Sequence, residues 1–278
     1  MSRPVQAELD VLIPTCGRPA ALAVTLTALS AQTLPRFRVV VSDQTEAAPP
    51  AAAAAEVRAV VHLLGVQGRP VELHRHLPRR GLAEQRQFLL DRARACYALF
   101  LDDDVIVAPD LLARLLRAIR RERCGFVGCG LIGLSYLDDE RPHEQAVEFW
   151  DGPVRPERVV PGSPAWQRHR LHNAANLWHL QRRLGLAAGE ERLYRVAWIG
   201  GCVLYDTAAL RAAGGFGFWR QLPAEHAGED VLAQVRVMAR FGGCGLAPSG
   251  AYHQDLPTTI PDRTYDAPWR LPIELGVG

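Results

Sequence analysis

The chain has 278 residues, 48% hydrophobic and 22% charged, with a formal net charge of +2. That length suits one large domain, or two halves sharing a sheet, and the near-neutral balance gives no reason to expect nucleic acid as a partner. All 32 basic residues are arginine, which excludes a Schiff-base lysine and a P-loop phosphate lysine. Cys16, Cys96, Cys124, Cys129, Cys202 and Cys244 form no CxxC pair. They are expected to be free, buried thiols in a reducing compartment, with Cys124 and Cys129 as half of a zinc site the alternative. The N-terminal MSRPVQAELD lacks a charged-then-apolar signal pattern. No run approaches the ~18 apolar residues of a membrane span, so a cytoplasmic protein is expected.

In chain order, Val11–Ile13 reads as a short buried strand ended by Pro14. Pro19 suits a first helical turn, and Leu22, Leu26 and Leu29 follow on one face. Phe37–Val41 is a second strand closed by Ser42 and Asp43. The alanine-rich Ala51–Leu64 predicts a helix with Gly65 as its stop. Val71–Leu77 is a third strand, Leu82–Ala95 a helix with Leu82, Leu89 and Ala93 inward, and Ala98–Leu101 a fourth strand. Leu111, Leu112, Leu115, Leu116 and Ile119 mark a helix opened by Pro109 and Asp110, and Phe126–Ile132 is a fifth strand. Residues 134–194 are rich in proline, charge and histidine, with one helix predicted over Arg170–Leu184. Order returns over Tyr194–Tyr205, Gly228-Glu229-Asp230 opens a last helix, and Cys244–Ala247 leads to His253. This alternation predicts a mostly parallel α/β sheet covered by helices on both faces. Ligands bind such sheets beyond the carboxyl ends of the strands, where Thr15, Asp43 and residues 102–104 fall.

Phe100-Leu101-Asp102-Asp103-Asp104-Val105 raises the sharpest question. Three adjacent carboxylates repel, and burying them is costly unless something positive meets them. If the backbone stays extended, Asp102 and Asp104 point one way and Asp103 the other. Two hard carboxylates on one side suit Mg²⁺ or Mn²⁺; a solvated acidic turn is the bland reading. Asp43 is either a ribose-binding acid or a turn acid, but no GxGxxG follows the first strand. Glu229 and Asp230 either complement a helix dipole or supply a general base. His253 is a third metal ligand or a surface residue. Arg79, Arg80 and Arg86 are phosphate-binding or solvated, and Trp150 and Trp219 are sugar platforms or packing.

The ordered set VLIPTCGRP, VVVSDQT, RGLAEQR, FLDDDV, WIGGCVLYD with GGF, and GED resembles the family 2 glycosyltransferases, inverting enzymes of the GT-A fold that use nucleotide sugars. The resemblance runs from Val11 to about His253, with 134–194 matching no common pattern. It implies one GT-A domain, with residues 1–133 as the nucleotide-sugar-binding half and 134–278 as the acceptor half. Pro14, Thr15 and Arg18 match the first nucleotide-contacting loop. Asp43 matches the acid that meets the base, and Gly81 and Arg86 match the segment flanking the nucleotide and diphosphate. Asp102 and Asp104 match the D-x-D, although the third acid leaves the register ambiguous and keeps Asp103 among the candidates for nucleotide contact. Asp104, Asp102 and His253 are the implied Mn²⁺ or Mg²⁺ ligands. Asp230 is the implied base, with Glu229 beside it. Arg80 stands where an asparagine is usual, and no Q-x-x-R-W follows the acidic pair, which argues against a processive synthase.

The implied partners are a nucleotide sugar and an unidentified acceptor. A sugar-1-phosphate nucleotidyltransferase is the rival enzyme, but CGRPA poorly matches its glycine-rich basic loop; a nucleotide-sugar-binding protein without catalysis is the non-enzyme reading. Residues 134–194 are expected to shape the acceptor side with Trp178 and Trp150. The arginines around Leu177, Leu180 and Leu184 allow peripheral contact with an anionic membrane.

Overall fold

The computed structural model describes residues 7–187, 189–258, 260 and 262–273. Strand β1 (Leu9–Thr15) is buried along its whole length, as an apolar run in the middle of a sheet must be. It continues past Pro14 because Pro14 and Thr15 stay in register with Ser42 and Asp43 of β2 (Arg38–Asp43). Helix α1 (Pro19–Ser30) buries Leu22, Leu26 and Leu29 as predicted. Residues 51–53 form a 3-10 turn and α2 spans Ala55–Val66. Gly65 lies inside α2; the stop is Gly68, which takes the positive φ of 75° that glycine tolerates.

Then follow β3 (Val71–Arg75), α3 (Leu82–Arg92) and β4 (Tyr97–Leu101). After them come β5 (Val105–Val107), α4 (Leu111–Glu122), β6 (Phe126–Gly128) and β7 (Ile132–Gly133). The predicted strand over 126–132 is thus two strands in different sheets, because the chain crosses between sheets at residues 129–131. Later elements are α5 (Asn176–Leu184), β8 (Arg192–Tyr194), β9 (Cys202–Asp206) and α6 (Thr207–Ala212). The chain ends with α7 (Glu229–Phe241), β10 (Gly243–Ala247), β11 (Ala251–His253) and α8 (Ala267–Arg270).

Among the described residues the main sheet has the order β3-β2-β1-β4-β9-β6-β10-β8, and β5-β11-β7 form a smaller one. The β1–β2, β2–β3, β1–β4 and β6–β10 pairs are parallel; β9 runs antiparallel to β4 and β6, and β8 to β10. Side chains alternate along each strand, so the sheet carries a core on each face. Leu12, Val40 and Phe100 join the face covered by α3 and α7. Val11, Ile13, Val39, Val41 and Leu101 join the leucines of α1 and α4. The reversal of β9 matters for the site: it brings the loop before Cys202 to the rim where β4 ends, and Asp102 N–H donates to Gly201 O at 2.9 Å.

In 134–194 the predicted helix splits. A 3-10 helix covers Pro164–His172, Ala174 takes φ 49°, and α5 starts only at Asn176. Leu177 and Leu180 face the core, so that leucine stripe is not available to a lipid surface. Arg168 is held by Glu148 and Glu157. No helix among the described residues is long and apolar enough to cross a membrane. All six cysteines are unpaired, but Cys96 is exposed and Cys16 half-buried rather than buried.

Candidate active site

The acidic triplet does not alternate as an extended strand would. β4 stops at Leu101 and residues 103–104 form a turn. Thr25 of α1 pins that turn: its hydroxyl donates to Asp103 O at 2.8 Å and accepts from Val105 N–H at 3.2 Å. Asp103 and Asp104 therefore face one group, while Asp102 faces another. Arg18 Nη1 lies 2.7 Å from Asp104 Oδ2 and 3.5 Å from Asp103 Oδ1, and Nη2 donates to Pro257 O. Thr15 Oγ1 donates to Asp103 Oδ2 at 2.6 Å. Burial pushes the Asp103 carboxyl up to about 6, partly opposed by Thr15. Burial acts in the same sense on Asp104, but His253 and Arg18 outweigh it and hold that carboxyl below its ordinary range.

His253 Nε2 lies 3.5 Å from Asp104 Oδ2, and its Nδ1 lies 2.9 Å from Asp255 N and 3.3 Å from Asp255 Oδ1. Asp104 raises the imidazole's pKa. Among the described residues no group of three or more His, Cys, Asp or Glu is placed to hold a metal ion. The implied set of Asp102, Asp104 and His253 is therefore not gathered: Asp104 and His253 converge, and Asp102 does not. A site with two protein ligands fits a hard cation that takes its remaining ligands from phosphate oxygens and water.

Asp102 Oδ1 accepts from Arg86 Nη2 at 2.9 Å, and Arg86 Nε donates to Glu229 Oε1 at 3.0 Å. Arg86 is 4% exposed and Glu229 3%. Burial alone would lower the guanidinium's pKa, but Asp102 and Glu229 raise it. Arg86 is thus a buried bridge between the two acidic motifs. Among the described residues Asp230, next to Glu229, forms no ion pair with an arginine within 4 Å. Asp230 lines a small recess with Arg86, Phe100, Ile199, Gly201 and Gln234. Burial and the adjacent Glu229 push its carboxyl up to about 7, against the pull of Arg86.

Asp43 is 1% exposed, and its two oxygens accept Thr45 N–H and Ala52 N–H, each at 2.8 Å, so it also organises the loop after β2. Thr15, the last residue of β1, pairs with it, and Pro14 pairs with Ser42. Gly81 caps α3 with φ 101°, and a Cβ there would lie 2.6 Å from Ala224 O and from His226 Cε1. His226 Nε2 accepts Ala83 N–H at 3.1 Å. Gly81→Ala is expected to combine strain of about 1–3 kcal/mol with a shift of residues 223–226, which lead into Asp230. Thermal melting and turnover should fall together; unchanged turnover would mean that this loop does not position Asp230 for activity.

Three buried positions escaped sequence reasoning. Gln85 Nε2 donates to Ser42 O and Thr15 O, tying three elements at the rim. Gln234 exchanges bonds with both backbone groups of Ile199 at 2.9 and 2.7 Å, fixing α7 to the loop before β9. His226 is the third. For Gln85 and Gln234 the only sequence signal was a polar residue on a buried helix face; His226 lies in the loop before α7 and gave none. Arg79 and Arg80 are exposed. Trp219 and Trp178 pack on the core edge, and Trp150 lines a separate cleft with Arg121, Glu122 and Glu191.

The profile of the family described as Glycosyl transferase family 2 matches residues 10–183. The succinoglycan biosynthesis protein ExoM of Rhizobium meliloti (strain 1021) is 36% identical over 115 residues, which make up 40% of this chain and 35% of that protein. Among solved structures, S. aureus TarS 1-349 in complex with UDP-GlcNAc superposes with a TM-score of 0.59 at 13% identity, over 91% of this chain and 60% of that one. The mannosyltransferase PcManGT from Pyrobaculum calidifontis, in complex with GDP-Man and Mn2+, gives a TM-score of 0.54 at 16% identity, over 92% and 59%. The chain thus spans less than two thirds of each of these proteins.

Proposed function

Because the chain belongs to glycosyl transferase family 2 and is a glycosyltransferase of the GT-A type, we propose that it transfers a sugar, with inversion, from a nucleotide-diphosphate sugar to an acceptor hydroxyl. The observation that carries this reading is Asp230: a carboxyl in no arginine ion pair among the described residues, facing a recess at the carboxyl rim, raised to about 7. A general base works best when its pKa lies near the working pH. In this reading Asp230 takes the acceptor's proton as its oxygen attacks the anomeric carbon opposite the leaving diphosphate. Glu229 and Arg86 hold Asp102 and the start of α7 in place. Thr15, Arg18 and Asp43 line the donor side. The nucleotide sugars bound in the two solved neighbours support a donor of this class.

A divalent cation, Mn²⁺ or Mg²⁺, would be held by Asp104 and His253 and would offset charge developing on the diphosphate. The test is release of nucleoside diphosphate from UDP-, GDP- and dTDP-sugars, with Mn²⁺ or with EDTA. EDTA and Asp104→Ala are each expected to stop release, with Asp104→Ala still folding cooperatively. Equal release in EDTA and Mn²⁺ would remove the metal from the mechanism; no release from any donor would remove the transferase reading. The free thiols fit a reducing, cytoplasmic setting.

A further inference from the structure

Beyond the acidic rim lies an aromatic wall that none of this chemistry uses. Trp166 and Trp198 have ring centroids 4.4 Å apart, His169 stacks on Trp198 at 4.7 Å with 9° between planes, and Trp269 meets Trp166 edge-on at 5.9 Å. These rings come from three separate stretches: the 164–172 helix, the loop before β9, and α8. Trp166 is 7% exposed, whereas Trp269 is 56% exposed, the most open aromatic ring described. Leaving an indole in water is unfavourable, and here the fold uses a buried indole to support an exposed one.

The wall is also placed at the site. Trp198 precedes Ile199 and Gly201, which line the recess with Asp230. Trp269 follows Asp266 and Pro268, which press on Gly228: a Cβ there would lie 2.1 Å from Asp266 Oδ1 and 2.7 Å from Pro268 Cδ. Two backbone bonds, Ala227 N–H to Tyr265 O and Ala267 N–H to Ala227 O, each 2.9 Å, fix this turn beside the start of α7. Asp43, on the donor side, lies at the end of β2, two strands from β4 in the opposite direction from β9. The nucleotide base and the wall therefore belong to opposite ends of the site.

We propose that Trp269, backed by Trp166 and Trp198, is a stacking platform for a pyranose ring of the acceptor, so that the acceptor class is a saccharide. Its polarised C–H face packs on the π-face of an indole while its rim hydroxyls remain free for hydrogen bonds. Asp266, whose backbone carbonyl accepts Trp269 N–H at 3.1 Å, supplies a carboxylate in the same turn to accept one. The assignment rests on the transferase reading for its role, but not for its binding. A free oligosaccharide and one carried on a lipid present the same ring, and both would be served.

Saturation-transfer NMR on the whole chain separates these possibilities, using methyl and octyl glycopyranosides of glucose, galactose and mannose as probes. Saturation of ring protons is expected for at least one methyl glycoside. Trp269→Ala should weaken that binding about tenfold or more, the scale of one lost aromatic stacking contact, while Trp269→Phe keeps part of it. A thermal melt of each variant shows whether it is folded. Equal ring saturation in the Trp269→Ala variant, no saturation by any methyl glycoside, or saturation confined to the octyl chain would overturn the platform; the last would make the wall a lipid contact. Ring saturation without nucleoside diphosphate release from any donor would leave the platform standing and remove the transferase reading instead.

Discussion

Asp230→Asn is expected to lower turnover about 10²–10⁴-fold, the range lost with a general base, and to raise the melting temperature at pH 8. Asparagine keeps the size of the side chain and can still accept Val231 N–H, which Asp230 Oδ1 does at 2.8 Å. Donor affinity should therefore change by only a few-fold on the order expected when ground-state contacts survive. The stability effect follows from proton linkage. The folded carboxyl titrates near 7, well above its ordinary value of 3.8. Between those values the unfolded chain holds fewer protons than the folded one, so stability falls as pH rises. The advantage of the variant should thus be largest at pH 8 and vanish toward pH 4. Wild-type kcat/KM should show an acid limb near pH 7 as Asp230 ionises. An active Asp230→Asn with a dead Glu229→Gln would move the base one residue back. Full activity in both would reduce the pair to a helix cap.

Arg86→Met is expected to cost about 3–5 kcal/mol, because it strands a buried carboxylate. The partner that matters is Glu229, whose side chain is 3% exposed; that of Asp102 is 34% exposed, so its arm contributes little. Adding Glu229→Gln should recover most of the loss, since the uncompensated charge goes with it. Arg86 also holds the Asp230 carboxyl down, so the acid limb of the Arg86→Met variant should move to higher pH. Chemical denaturation and pH–rate profiles read the two effects independently. A cost under about 1 kcal/mol, typical of an exposed pair, together with an unmoved limb would make the bridge incidental.

The sheet was legible because its strands are apolar runs separated by helices with one leucine face. Leu111, Leu112, Leu115, Leu116 and Ile119 are all buried where their spacing puts them. Local pattern could not show where strands pair. FVGCGLI reads as one strand, yet Phe126 pairs with Gly243 and Tyr205, and Ile132 with Tyr252 in another sheet. The residue types of the site were legible too, because an acidic cluster beside apolar strands has few explanations. Its grouping was not. Alternation along a strand grouped Asp102 with Asp104, but the strand ends one residue earlier, and the hydroxyl of Thr25, some eighty positions away, sets the turn instead. Arg86 read as phosphate-binding or solvated because nothing in the sequence places Glu229 3.0 Å from it. The aromatic wall was invisible for the same reason, since its rings come from three distant stretches.

The rim gathers five carboxyl groups, from Asp102, Asp103, Asp104, Glu229 and Asp230, around two guanidinium groups and one imidazole. Its own electric field therefore opposes a free diphosphate and attracts a cation. That imbalance sets a kinetic order: unaccompanied nucleotide should associate slowly, and faster as ionic strength screens the repulsion. A donor arriving with its charge already countered should show the opposite salt dependence.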